Sequence, residues 1–169
     1  KFDIAMGGVT ETAARAKDFA LSQPVVPNGK IALANCAAAP ALGSLEKIDQ
    51  PNVKVVVNPG GTNQSFVDEH IKQAQIIRVK NNIDNLEALR QKTADMMVTD
   101  LIEGVYYESN EPGVFCVANE QPFSGTASFK VYMMNKDNPQ LLDKVNQWLA
   151  SQDKNVLKQK WRIHDQLKP

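Results

Sequence analysis

The sequence predicts an α/β protein. Short β-branched runs such as "VKVVVN" and "AQIIRVK" alternate with stretches of helical periodicity. Glycine- and proline-bearing turns separate the two kinds of segment. Between residues 53 and 100 the order strand, helix, strand, helix, strand predicts a parallel sheet with right-handed crossovers. At 169 residues and 43% hydrophobic content the chain has enough apolar surface for one or two modest cores.

The chain opens as a strand over residues 1 to 7, with Phe2, Ile4 and Met6 alternating against Lys1, Asp3 and Ala5. An opening inside a strand leads us to expect a processed chain or a fragment whose leader and first elements precede it. Residues 11 to 20 follow as a short helix with Ala13, Ala14, Ala16 and Phe19 on its apolar side. "SQPVVPNGK" then breaks the pattern and leads into the strand "KIALANC". Residues 37 to 52 read as a loop with one helical turn around Leu42, Leu45 and Ile48. A strand at 53 to 58 precedes a helix from about 63 to 73, with Phe66, Val67, Ile71 and Ala74 along one side. "NIDNLEALRQKT" reads as a helix capped by Asp84, "ADMMVTD" as a strand, and 101 to 109 as a further helix. "NEPG" turns the chain into "VFCVA". A strand, "SFKVYMMN", and two helices complete it, the first starting at Asp137-Asn138-Pro139 and burying Leu141, Leu142, Val145, Trp148 and Leu149.

Composition narrows the function classes. Nineteen basic and nineteen acidic residues cancel, so no charge excess points to nucleic acid. No apolar run reaches the ~20 residues of a membrane span, and the chain reads as soluble. Cys36 and Cys116 are too few for a disulfide scaffold and too far apart in sequence for a close-spaced metal motif; one bridge or two buried thiols both remain open. His70 and His164 stand in no metal-ligand spacing, so both read as structural or solvated, and no metal is expected.

In an open parallel sheet, ligands bind beyond the carboxyl ends of the strands. Three such ends carry polar groups: "GGVT" with Thr10 and then Arg15; "NPGGTN" with Gly60, Gly61, Thr62 and Asn63; and "TDLIE" with Asp100 and Glu103. Glycines at a helix start let a ligand approach the backbone, and hydroxyls with a guanidinium suit a carboxylate. Each set also has a structural reading. Thr10 as an N-cap, Arg15 as a solvated helix residue, and Asp100 and Glu103 as a capped, solvated helix start would need no ligand.

Taken in order, "FDIAMGGVTETAARAKDFALSQP", "VVVNPGGTNQSF", "ADMMVTD" and "VYMMNKDNPQLLDKVNQWL" resemble the polar amino-acid-binding proteins of bacterial ABC transporters, which have the type II periplasmic-binding fold. Within that superfamily, "SLEKIDQPNVKVVVNPGGTNQSF" and "MMVTDLIE" resemble the cyclohexadienyl dehydratases, periplasmic lyases of phenylalanine biosynthesis that convert prephenate or arogenate to phenylpyruvate or phenylalanine. The resemblance implies two lobes with mixed, mostly parallel sheets: residues 1–30 as a partial lobe one, 31–118 as lobe two, and 119–169 as a return strand and helices packing toward lobe one. It also implies roles. Thr10 and Arg15 match the lobe-one grip on an α-carboxylate, and Gly61, Thr62 and Asn63 the lobe-two turn whose hydroxyl closes on it. Asp100 matches the partner of an α-ammonium, Glu103 the general acid, and Lys130 a contact to a second carboxylate. To stay protonated near neutral pH, such an acid needs burial. Val25 stands where the family carries an aromatic residue, and Phe129 where an acidic residue precedes the lysine. No cofactor is implied. The ligand is a small carboxylate or amino acid, the location is the periplasm, and an ABC permease is a partner under the transport alternative.

Overall fold

The computed structural model describes residues 2–119 and 121–160, so His164 lies outside the described residues. In chain order the elements are β1 (Ile4–Thr10), α1 (Ala13–Asp18), β2 (Ala20–Leu21), β3 (Val26–Asn28), β4 (Lys30–Asn35), α2 (Leu45–Ile48), β5 (Lys54–Val57), α3 (Gly61–His70), β6 (Gln75–Arg78), α4 (Asn82–Arg90), β7 (Met96–Asp100), α5 (Leu101–Asn110), β8 (Phe115–Val117), β9 (Ser128–Met134), α6 (Pro139–Ser151) and α7 (Lys154–Lys160). The chain divides into two compact units, with boundaries after Asn28 and after Thr126.

The first unit is built on β9, which pairs antiparallel with β1 on one side and with the short β2 and β3 on the other. Val131 and Met134 of β9 are buried, as is Leu149 of α6. Asn138 caps α6 by accepting from the Leu141 N–H, with Pro139 at the first helical position, as the sequence predicts. Trp148, expected on the buried face, is 48% exposed, its ring 6.4 Å from that of Tyr132. The buried stripe of α6 centres on Leu149, and Trp148 lies one position to its side. Met6 and Phe2 are exposed too, against the simple alternation expected of the opening strand.

The second unit holds a five-stranded mixed sheet in the order β6-β5-β7-β4-β8. The parallel pairs are β5 with β6 and β5 with β7, the run whose strand–helix alternation predicts them. β4 is antiparallel to both β7 and β8, so the parallel character stops at β7. Sequence alternation is silent on β4, because its connection to β5 holds only short helical turns. Two apolar clusters cover the two faces. One gathers Ala32, Ala34, Val55, Val57, Phe66, Val67, Met96 and Val98 beneath α3; the other gathers Ile31, Leu33, Val56, Leu86, Leu89, Met97 and Phe115 beneath α4. Successive residues of each strand point to opposite faces, which explains the division. The expected stripe of α3, Phe66, Val67, Ile71 and Ala74, is buried as a set.

Local chemistry fixes the element ends. α4 is capped by Asn81, whose side chain accepts from the Asp84 N–H, and not by Asp84, which sits inside the first turn. Asn81 takes the extended conformation that a cap requires, and Asp84 supplies negative charge near the positive end of the helix dipole. Cys36 and Cys116 form a disulfide that ties β8 to the end of β4, settling the alternative left open by the sequence.

Candidate functional site

Why the β-branched run of β5 stops at "NPGGTN" is answered by the backbone. Gly60 and Gly61 have φ of +91° and +73°, the left-handed region that side chains disfavour, and they swing the chain from strand into α3. The turn is held by the Gly60 N–H, which donates to Gln64 Oε1 at 2.6 Å. Thr62 and Asn63 are thereby carried on the first turn of α3.

The register of β4 on β7 supplies what faces them. Lys30 is paired directly with Asp100 across the antiparallel ladder, on the same face as Ala32, Val98 and the α3 cluster. Lys30 Nζ donates to Asp100 Oδ1 at 2.7 Å, to Thr62 Oγ1 at 2.6 Å and to Asn63 Oδ1 at 2.6 Å. The three bonds match the three donors of an ammonium group. Lys30 and Asp100 have side-chain exposures of 8% and 16%, so the charge pair is largely withdrawn from water. Asp100 is the residue at the N-cap position of α5, yet its side chain makes no capping bond. Its carboxylate is turned to Lys30 instead.

Glu103 has different partners. Lying in the first turn of α5, it accepts from Thr99 Oγ1 at 2.5 Å and from Asn82 Nδ2 at 2.7 Å. Thr99 is fully buried, and it points to the opposite face of the sheet from Asp100 because it is the neighbouring strand residue. Asn82 belongs to a chain of amides: Asn85 Nδ2 donates to Asn82 Oδ1 at 3.3 Å and to Asn58 Oδ1 at 2.6 Å. Asn58 immediately precedes the Pro-Gly-Gly turn, so this network connects the end of β5 to the start of α5. Asn85 is buried, and its Oδ1 has no hydrogen-bond partner among the described residues. One turn beyond Glu103, burial pushes the Tyr107 phenol up, and the charge of Glu103 raises it further.

In the first unit, a bulge does the positioning. Ala5 pairs with Met133 and Val9 with Val131, so four steps along β1 answer two along β9. Gly8, with φ of +71°, accommodates the excess. Beyond the bulge Thr10 pairs with Lys130, and Lys130 Nζ donates to Thr10 Oγ1 at 2.9 Å. Arg15 reaches back from α1 to donate through Nη1 to the Thr10 carbonyl at 2.7 Å. Thr12, not Thr10, caps α1. Thr10 and Lys130 are both buried.

Thus Thr10, Arg15 and Lys130 come together in one unit, and Thr62, Asn63 and Asp100 in the other, with Gly61 forming the turn behind them. Glu103 keeps company with Thr99 and Asn82. Sequence reasoning missed Lys30, Thr99, Asn82 and Asn85. A single lysine opening a strand reads as a solvated end, and only the antiparallel register sets it against Asp100. Asn82 and Asn85 read as ordinary helix polar residues, although their i, i+3 spacing was a visible signal.

Comparison with known proteins gives these groupings a context. The family model described as bacterial extracellular solute-binding proteins, family 3, matches residues 1–163. Cyclohexadienyl dehydratase from Pseudomonas aeruginosa is 34% identical over 149 residues, which are 88% of this chain and 54% of that protein. The chain therefore spans about half the length of this curated relative. Among solved structures, an ancestral amino acid-binding protein described as a precursor of cyclohexadienyl dehydratase is 30% identical, with a TM-score of 0.79, over 95% of this chain and 69% of that one. An ancestral cyclohexadienyl dehydratase is 38% identical, with a TM-score of 0.55, over 95% and 66%. A binding component of an ABC transporter from Wolinella succinogenes, complexed with lysine, shares the fold at 19% identity and a TM-score of 0.82, over 97% and 71%. With a family model that runs through nearly the whole sequence and an α/β fold that these structures share, the chain belongs to the bacterial extracellular solute-binding proteins, family 3.

Proposed function

We propose that the chain is a cyclohexadienyl dehydratase-type lyase of phenylalanine biosynthesis, acting in the periplasm on prephenate or arogenate, with Glu103 as its general acid. The observation that carries this reading is the setting of Glu103: a carboxyl group fixed from two sides by a buried threonine hydroxyl and an asparagine amide. A proton donor must be held at one angle to its acceptor, and two hydrogen bonds to one carboxyl group supply that constraint, the Thr99 hydroxyl turning from donor to acceptor when Glu103 carries its proton. The 34% identity to a curated dehydratase supports the same reading.

The reaction balances without a cofactor. The proton of Glu103 passes to the departing ring hydroxyl, the C–O bond breaks, and water leaves. The ring carboxylate leaves as carbon dioxide, and its electron pair completes the aromatic ring. In the first unit Thr10 and Arg15 are the proposed contacts of an α-carboxylate and Lys130 of a second carboxylate; in the second unit Gly61, Thr62 and Asn63 form the turn whose hydroxyl is proposed to meet a carboxylate, and Asp100 is the proposed partner of an α-ammonium.

A second reading, delivery of an amino acid to an ABC permease, is favoured by the 30% identity to the ancestral amino acid-binding protein described as a precursor of cyclohexadienyl dehydratase. One experiment separates the two. The protein is incubated with prephenate while phenylpyruvate absorbance is followed, and its melting temperature is recorded with each of the twenty amino acids. Product formation above the spontaneous rate supports the lyase. An inert protein whose melting temperature rises with an amino acid supports transport, since a ligand at 100 times its Kd stabilises by ~2.7 kcal/mol.

A further inference from the structure

The buried side of α4 carries Asn85, Leu86 and Leu89, and Asn85 is only 2% exposed. A leucine would fit that apolar pattern, whereas an amide is costly to bury unless it is hydrogen-bonded. Here it is bonded at one end only. Asn85 Nδ2 donates to Asn58 Oδ1 at 2.6 Å and to Asn82 Oδ1 at 3.3 Å, while its own Oδ1 has no partner among the described residues. We infer that Asn85 is a positioning residue for Glu103, acting through Asn82 by fixing which end of the Asn82 amide meets the carboxyl group. This deepens the proposed function and rests on it for the role of Glu103.

An asparagine amide can present either its oxygen or its NH2 end to a neighbour, and the two ends differ little in shape. Only the NH2 end suits Glu103 Oε1, which accepts from Asn82 Nδ2 at 2.7 Å. A reversed amide would set oxygen against oxygen, because an ionised carboxylate has no hydrogen to offer. With its NH2 on Glu103, Asn82 turns its Oδ1 toward residue 85, three positions along the same helix. Asn85 must then supply hydrogens, and its two Nδ2 hydrogens serve Asn82 and Asn58. Its oxygen is left over. A buried acceptor without a partner costs stability, and here that cost falls where the orientation of the amide chain is set. The far end of the chain is anchored on the sheet, since Asn58 directly follows β5. An apolar residue at position 85 would remove the orphaned oxygen and leave Asn82 free to turn over.

Two measurements test this, the first without turnover. NMR of the chain labelled at asparagine and glutamate reads nuclear Overhauser contacts from the Asn82 Nδ2 protons to the Glu103 side chain and from the Asn85 Nδ2 protons to Asn58. Both contacts are expected in wild type, and the first is expected to weaken severalfold in Asn85→Leu. Steady-state kinetics on prephenate then compares wild type, Asn85→Leu, Asn82→Ala and the double variant. Asn85→Leu is expected to lower kcat about tenfold with KM within a few-fold. Because Asn85 acts through Asn82, the double variant is expected to be no slower than Asn82→Ala alone, whereas a merely structural residue would give losses that multiply. Circular dichroism checks each fold, and Asn85→Ala replaces a leucine variant that fails to fold. Absence of either contact in wild type, an unchanged Asn82 contact in the folded variant, an unchanged kcat in an active enzyme, or losses that multiply overturns the inference. Contacts that are present in wild type and lost in the variant, without prephenate turnover by either, overturn only the lyase reading. Turnover by wild type with an unmoved Asn82 contact in the variant overturns only this one.

Discussion

Lys30 and Glu103 are charged residues of the same unit, and the structure treats them differently. Lys30 faces α3 and ends in a charge pair, while Glu103 ends in neutral hydrogen-bond donors, Thr99 and Asn82. The difference follows from one step along β7, since Thr99 and Asp100 point to opposite faces. Removing Asn82's amide leaves Glu103 with one fewer anchor. Under the lyase reading, Asn82→Ala is expected to lower kcat about tenfold while leaving KM within a few-fold, because it loosens the acid and not the substrate. Steady-state kinetics on prephenate checks the split. Tyr107 offers an independent report on Glu103. Burial comes first among the causes that raise its phenol, and the Glu103 charge comes second. Glu103→Gln is therefore expected to bring the Tyr107 titration down without restoring it to an exposed tyrosine's value, as followed by NMR of ring-labelled protein.

At the level of elements, two features join helices to the sheet. Gly104 lies where a Cβ would stand 2.6 Å from Ile31 Cδ1 and 3.3 Å from Ile31 Cγ1, so only glycine lets α5 lie this close to β4. Gly104→Ala is expected to cost about 1–3 kcal/mol, read from urea denaturation, with Ile31 giving way in part. The second feature is Asp49, just past α2, whose Oδ1 accepts from the backbone N–H groups of Lys72, Gln73 and Ala74. It closes the turn between α3 and β6. Burial alone would push its carboxyl up, but the bonds from Ala74, Gln73 and Lys72 together with the Lys72 charge outweigh that and hold it below its ordinary 3.8. A lowered folded value means that the stabilisation is present above the unfolded value and lost as pH falls through the folded one. Wild type is thus expected to lose this contribution only below about pH 4. Asp49→Asn is expected to be less stable than wild type at pH 7 and to approach it under acid, by thermal melts across pH.

Across the whole molecule, the sequence made some features plain and left others hidden. The strand–helix–strand run from Lys54 to Asp100 was legible because period-2 and period-3.6 patterns alternate cleanly there, and the α3 stripe and the Asn138-Pro139 start of α6 likewise. The antiparallel β4 was not, since nothing local in "KIALAN" states which strand it will pair with. Lys30 stayed hidden for the same reason. The sequence points to Asp84 and the structure to Asn81 as the cap of α4, three residues apart, because both are good caps and only the backbone conformation at Asn81 separates them. The disulfide was one of two open readings, as spacing alone cannot pair cysteines. Its role belongs to the second unit as a whole: it closes a loop of 80 residues between β4 and β8. Cys36→Ala/Cys116→Ala is expected to lower stability by about 2–4 kcal/mol, seen as a drop of several degrees in melting temperature.

The central claim is that the chain acts by proton donation from one fixed carboxyl group. Its most direct test is to measure, in parallel on wild type and Glu103→Gln, the rate of phenylpyruvate formation from prephenate and the affinity for phenylpyruvate. The account predicts a rate lower by about 10²–10⁴-fold in the variant with affinity changed only a few-fold. Equal rates in the two proteins, or a rate loss matched by an equal loss of affinity, would contradict it.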